Sequence, residues 1–179
     1  MVYFFIAEGF EEIEALCPLD MLRRANIEAK TVGIGGRKIT GAHGITVMTD
    51  MSDGEFCDDT PEMIFLPGGM PGTLGLKGSD TVKKAILSAN ERGAYIAAIC
   101  AAPMILGELG LLSGKEAICY PGFEDKLTEA KISDKRVVAD GNILTAAGMG
   151  VALDFALLII KTLKGDKAAE ELRRAVIAD

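Results

Sequence analysis

Cys100 has the most chemically informative setting in the chain. It ends the apolar run Tyr95 to Ile99, and Ala101-Ala102-Pro103 follows at once, where a helix over Ala101 to Leu109 is expected. The two alanines leave room around the thiol. Pro103 suits a first helical turn, where its missing N–H is no loss. A cysteine on this kind of strand–turn–helix corner meets unpaired helix-end N–H groups and the positive end of the helix dipole. Its thiol is therefore expected to ionise more readily than a free one. The N–H of Ala101 is a candidate oxyanion donor. The competing reading is a small thiol buried at a strand end.

Two other segments carry candidate chemistry. Pro67-Gly68-Gly69 follows the apolar run Met63 to Leu66. Glycines allow positive φ and close backbone approach, so their N–H groups can face an anion. A tight strand-to-helix turn explains the same residues. No GK[ST] follows, which excludes a P-loop. Glu11-Glu12-Ile13-Glu14 opens the first helix. Acidic residues in a first turn are favoured by the dipole alone. Helical spacing, however, puts Glu14 on the apolar face of Phe10, Pro18 and, approximately, Cys17, whereas Glu11 and Glu12 are more easily solvated. A carboxyl turned inward prefers to stay protonated and can donate a hydrogen bond. Beside a thiolate it would shuttle a proton or stabilise oxidised sulfur. A paired structural carboxyl is the alternative.

The remaining candidates are weaker. His43 sits in the turn Gly41-Ala42-His43-Gly44, a poor support for a rigid general base, and is expected to be exposed or at an interface. Cys57 lies in the acidic segment Asp53 to Asp59, where carboxylates oppose thiolate formation. Cys17 and Cys119 are read as packing residues. The four cysteines form no CxxC pair and the chain has one histidine, so neither a zinc ribbon nor a multi-histidine metal site is expected. No metal or other cofactor is expected.

The elements that must position these residues alternate along the chain. Apolar strands are expected at Val2–Ala7, Ala29–Ile34, Met63–Leu66 and Tyr95–Ile99, with shorter ones at Ala117–Tyr120, Arg136–Asp140 and Ile143–Thr145. Helical patterns cover Glu11–Ala25, Asp80–Arg92, Met149–Leu163 and Asp166–Ala175, and Ile39–Val47 reads as a hairpin. Fully apolar strands alternating with helices imply a mostly parallel sheet covered on both faces. The expected fold class is α/β, a doubly wound three-layer sandwich with its ligand site beyond the carboxyl ends of the strands. The 179 residues are expected to form one domain, 1–179. A net charge of −7, from 19 basic and 26 acidic residues, argues against nucleic acid. The N-terminus has no basic stretch before its apolar residues, and the longest uncharged run, Gly93 to Gly107, is too short to span a bilayer. A cytoplasmic protein with reduced thiols and no membrane partner is expected.

Ala97-Ala98-Ile99-Cys100-Ala101-Ala102-Pro103, Leu66-Pro67-Gly68-Gly69 and Glu11-Glu12-Ile13-Glu14 with Pro18-Leu19-Asp20 together resemble the DJ-1/PfpI (ThiJ/PfpI) superfamily, and its DJ-1 branch in particular. The resemblance runs through Gly33, the hairpin at His43, Leu144-Thr145 and Gly148 to Asp154-Phe155-Ala156. It implies a flavodoxin-like sandwich, a homodimer and a reactive cysteine at a nucleophile elbow. By position, Cys100 matches that cysteine and Glu14 the protonated glutamate bonded to it. Gly69 and Ala101, with Gly68 beside them, match the backbone donors of the anion pocket. The implied activities are cofactor-free conversion of methylglyoxal or glyoxal (glyoxalase III) and deglycation of their early adducts with thiols or amines. Oxidative-stress sensing and chaperone action are also implied. The protease-like branch has His directly after the elbow cysteine. Here that residue is Ala101, so a peptidase is not expected. Tyr120 stands where some members have His. Its phenol can donate a hydrogen bond but is a weak base near neutral pH, which leaves Glu14 as the proton-transfer group.

Overall fold

The apolar runs become the strands of a central sheet. The computed structural model describes residues 1–57 and 60–178; Asp58 and Asp59 of the acidic segment around Cys57 lie outside the described residues. The chain runs β1 (Val2–Ile6), α1 (Glu12–Arg24), β2 (Ala29–Gly33), β3 (Lys38–Thr40), β4 (Thr46–Met48), β5 (Met51–Ser52) and β6 (Met63–Leu66). It continues α2 (Gly72–Gly78), α3 (Asp80–Glu91), β7 (Tyr95–Ile99), α4 (Pro103–Glu108), β8 (Glu116–Ala117) and β9 (Lys131–Ile132). The last elements are β10 (Val137–Asp140), β11 (Ile143–Ala146), α5 (Ala152–Lys164) and α6 (Asp166–Ala175).

Seven strands form the main sheet in the order β10-β11-β7-β6-β1-β2-β5. The pairings are parallel except for the edge pair β10–β11. Alternation along each strand sends successive side chains to opposite faces. Phe5, Ile64, Leu66, Ile96 and Ala98 pack with residues of α2, α3 and α4 on one face. Phe4, Phe65, Ala97 and Ile99 pack against α1 and α5 on the other. Phe4 stacks on Phe65 with centroids 4.3 Å apart, and Phe65 meets Phe155 of α5 at 5.8 Å. This is the flavodoxin-like three-layer sandwich. No helix among the described residues is long and apolar enough to cross a membrane.

The topology fixes where a ligand can sit. From β1 the chain builds outward through β2 to β5, then returns to the other side of β1 as β6 and proceeds through β7 to β11. The reversal opens a crevice at the carboxyl ends of β1 and β6. The connection after β1 carries Glu11 and the first turn of α1 with Glu12 and Glu14, and the loops after β6 and β7 carry Pro67 to Gly69 and Cys100, respectively.

Two expected elements are corrected. The helix expected from Ala101 begins at Pro103, because residues 100–102 form a turn before it. The strand expected over Ala117–Tyr120 stops at Ala117, since Ile118 N–H is taken by Thr145 Oγ1 (3.0 Å) and Tyr120 N–H by the Cys100 carbonyl (2.8 Å). This segment crosses the end of the sheet instead of pairing along it.

Candidate active site

Cys100 is held in a left-handed conformation, with φ of 65°. A side chain makes that region costly for any residue but glycine. The neighbours keep it there: Cys100 N–H donates to the Ala146 carbonyl at 2.9 Å, and the Cys100 carbonyl accepts from Tyr120. The turn directs the thiol away from the strand and toward the end of β6 and the first turn of α1.

Glu14 meets it there. Its side chain is fully buried. Oε2 accepts from Gly68 N–H at 2.9 Å, whereas Oε1 has no hydrogen-bond partner. Gly68 separates the two groups closely: a Cβ built on it would lie 2.6 Å from Glu14 Oε2 and 3.1 Å from Cys100 Sγ. Any side chain at position 68 would therefore fill the space through which the two meet. Gly69 has φ of 94°, and a Cβ there would collide with the Glu11 backbone nitrogen. These two glycines are required by the packing.

Burial pushes the Glu14 carboxyl up to about 7, against the opposite pull of hydrogen bonds from the Cys100 thiol and Gly68 N–H. A protonated inward-facing carboxyl is what helical spacing led us to expect. The thiol departs from expectation. Burial first, then the charge of Glu14, push Cys100 up to about 12, while hydrogen bonds from the Ala101 and Gly69 N–H groups pull it down. A helix end alone therefore does not activate this cysteine; α4 starts three residues later and is six residues long. The thiol and carboxyl form a coupled pair that resists carrying two charges. When Glu14 is protonated its repulsion disappears, and its O–H joins the two backbone donors in favouring the thiolate.

Glu11 and Glu12 are buried, 6% and 3% exposed, which corrects the expectation that they are solvated. The turn of the β3–β4 hairpin folds over the start of α1. Glu12 Oε1 accepts from the N–H of His43 (2.8 Å) and Ile45 (3.4 Å), and its Oε2 pairs with His43 Nδ1 at 2.9 Å. Burial opposes the charge on Glu12, but these hydrogen bonds together hold its pKa below the usual carboxylate value. His43 is 67% exposed, and its Nδ1 also lies 3.4 Å from Glu11 Oε2. Glu11, Glu12 and His43 bring donor atoms within 4.8 Å of one another. The Glu12 carboxylate is already occupied in closing the hairpin, a structural role that accounts for the cluster. Cys17 is half-buried, with its thiol raised by burial and then by Asp20; buried Cys119 is raised to about 11 by burial; Cys57 is exposed.

Tyr120 is 45% exposed at the mouth of the site, where its ring lies against Gly148. A Cβ on Gly148 would be 3.2 Å from that ring and 3.8 Å from Glu14 Oε1. Residue chemistry did not single out Gly148 as a wall of the site. The available signal was the small-residue run Ala146-Ala147-Gly148 at the carboxyl end of β11, the strand beside β7.

A parallel three-layer sandwich with a strained cysteine, a buried glutamate and backbone donors at the carboxyl ends of its strands defines a class of cysteine-centred α/β proteins. Within it, the chain belongs to the DJ-1/PfpI family, whose description matches residues 1–162. It is similar to protein dj-1beta of Drosophila melanogaster, with 34% identity over 175 residues covering 96% of this chain and 94% of that one. It also resembles the glutathione-independent glyoxalase DJR-1.2 of Caenorhabditis elegans, at 30% identity over 92% of this chain and 89% of that one. The structure of oxidized DJ-1 from Toxoplasma gondii superposes with a TM-score of 0.95 at 31% identity, covering 98% of this chain and 97% of that one.

Proposed function

We propose that this chain is a cofactor-independent cysteine enzyme acting on methylglyoxal, glyoxal or their early thiol and amine adducts. The observation that carries the reading is the fully buried Glu14 carboxyl, raised to about 7, facing the Cys100 thiol across Gly68. A general acid–base group works best with its pKa near the working pH. Similarity to a relative named as a glutathione-independent glyoxalase supports the same substrate class.

In this reading the Cys100 thiolate adds to the aldehyde carbon, and the carbonyl oxygen takes up a proton to give a hemithioacetal. Gly69 and Ala101 N–H groups hold the oxygen while it is charged. Glu14 as carboxylate removes the proton from that carbon, giving an enediolate, and returns it to the neighbouring carbon. The product is a lactoyl thioester of Cys100, which water hydrolyses to lactate and the free thiol. Wild-type protein is expected to convert methylglyoxal to lactate without glutathione. Cys100→Ser and Glu14→Gln should each lower kcat/KM by at least about 100-fold, the scale of a lost nucleophile or proton-transfer group. Turnover no faster than that of a simple thiol would overturn the reading.

A redox-sensor reading is favoured by the donors around Sγ, because the protonated Glu14 and two N–H groups suit a sulfinate as well as an oxyanion. Two equivalents of peroxide would convert the thiolate to a sulfinate and release two waters. Mild peroxide should then add two oxygens at Cys100 alone; equal oxidation of all four cysteines counts against it. We further propose that residues 1–179 act as one unit and assemble as a homodimer.

A further inference from the structure

Beside the cysteine, an open groove of about 370 Å³ leads away from the catalytic pair. Tyr120 and Gly148 form its near end; Tyr120 N–H bonds the Cys100 carbonyl, and the Gly148 Cβ position lies 3.8 Å from Glu14 Oε1. Ala147 and Met149 continue the wall, and Met149 is exposed. Arg136 also lines the groove, at the start of the antiparallel edge strand.

The charge pattern is one-sided, since among the described residues lining this groove Arg136 is the only ionisable one that carries charge at neutral pH and none is a carboxylate. One guanidinium nitrogen of Arg136, Nη2, donates to the Gly150 carbonyl at 3.0 Å, which fixes the head against the loop. No carboxylate among the described residues pairs with it. Arg136 also borders a second hollow that holds Asp154, but Asp154 lies 3.9 Å from Arg173. A guanidinium with one bond used has four N–H donors left, in a planar fork that matches a carboxylate. Tyr120, which lines the groove with Arg136 and whose N–H bonds the Cys100 carbonyl, supplies an aromatic face and a phenol O–H.

We propose that this groove binds the remainder of the substrate and selects adducts that carry a carboxylate, with Arg136 as the anion anchor and Tyr120 as the surface the linking atoms lie on. The inference rests on the enzyme reading for its substrate class, but the selectivity belongs to the groove and can be read without turnover. Arg136 is a specificity residue, remote from the reacting atoms.

The test is disulfide exchange at Cys100, followed by peptide mass so that the other cysteines do not contribute. An aromatic disulfide carrying two carboxylates, 5,5′-dithiobis(2-nitrobenzoate), is compared with neutral 4,4′-dithiodipyridine. Arg136→Gln should lower the rate ratio of the charged to the neutral reagent by about five-fold, the scale of one exposed ion pair. Arg136→Lys should retain part of the preference, and raising the salt should reduce it in wild type. The neutral reagent is the internal control, because a disturbed Gly150 loop would change both rates. An unchanged ratio in Arg136→Gln overturns the proposal. Failure of the enzyme reading would appear separately, as absence of methylglyoxal turnover in wild type with the reagent ratio intact.

Discussion

At the residue scale, the chemistry depends on one carboxyl whose ionisation burial shifts to near neutral pH. Glu14 is fully buried, its pKa is raised to about 7 from an ordinary 4.5, and burial is the leading cause. An acid whose folded pKa is raised binds more protons in the folded state. Its contribution to stability is present below pH 4.5 and is lost as the pH rises through about 7. The shift corresponds to roughly 3–4 kcal/mol. Glu14→Gln removes this titration while a side-chain oxygen can still accept from Gly68 N–H. The variant should match wild type near pH 4.5 and be more stable by roughly 3–4 kcal/mol at pH 8. Urea unfolding at the two pH values checks this, and a variant less stable than wild type at pH 8 would show that the ionised carboxylate is favourably held. The same substitution is expected to lower kcat/KM by at least about 100-fold, so the site gives up stability to keep a proton near the sulfur.

At the element scale, the corner after β7 stores strain. Cys100 has φ of 65° and bonds to Ala146 and Tyr120 on either side. Glycine tolerates that conformation and alanine does not, so Cys100→Gly should be more stable than Cys100→Ala by about 1 kcal/mol. Thermal melts of the two variants decide it; equal stability would mean that the corner relaxes. Much of this arrangement was legible in the sequence. The apolar runs Met63–Leu66 and Tyr95–Ile99 matched β6 and β7 to the residue, and the spacing of Glu14 with Phe10 and Pro18 gave its inward direction. Local pattern missed what depends on contacts distant in sequence. Burial of Glu11 and Glu12 comes from the hairpin turn around His43 folding over α1. The raised thiol comes from burial and from a carboxyl 86 positions earlier in the chain, and no local dipole argument includes either. The two-residue strands β5 and β9 are defined by their partners and carry no periodicity of their own.

At the scale of the whole molecule, the question is what covers the face beside the β3–β4 hairpin. Ile13 of α1 and Ile45 between the hairpin strands are each about half exposed, and Met48 at the end of β4 is 70% exposed. Met48 also borders a hollow of about 200 Å³ whose lining includes Leu16, Leu19 and Val47. Three large exposed apolar side chains on adjoining elements are costly to leave in water and mark an association surface. A second copy of the chain is the proposed occupant. Both copies carry a net charge of −7, so the attraction must come from apolar burial against charge repulsion. The dimer is therefore expected to tighten as salt rises from about 50 mM to about 500 mM, because repulsion is screened while apolar burial remains. Met48→Glu places another charge in the patch and should move the sedimenting species from two chains to one. Because Met48 is exposed, the substitution should leave the melting temperature of the single chain nearly unchanged. A wild-type chain that sediments as one copy at every salt concentration would exclude this assembly.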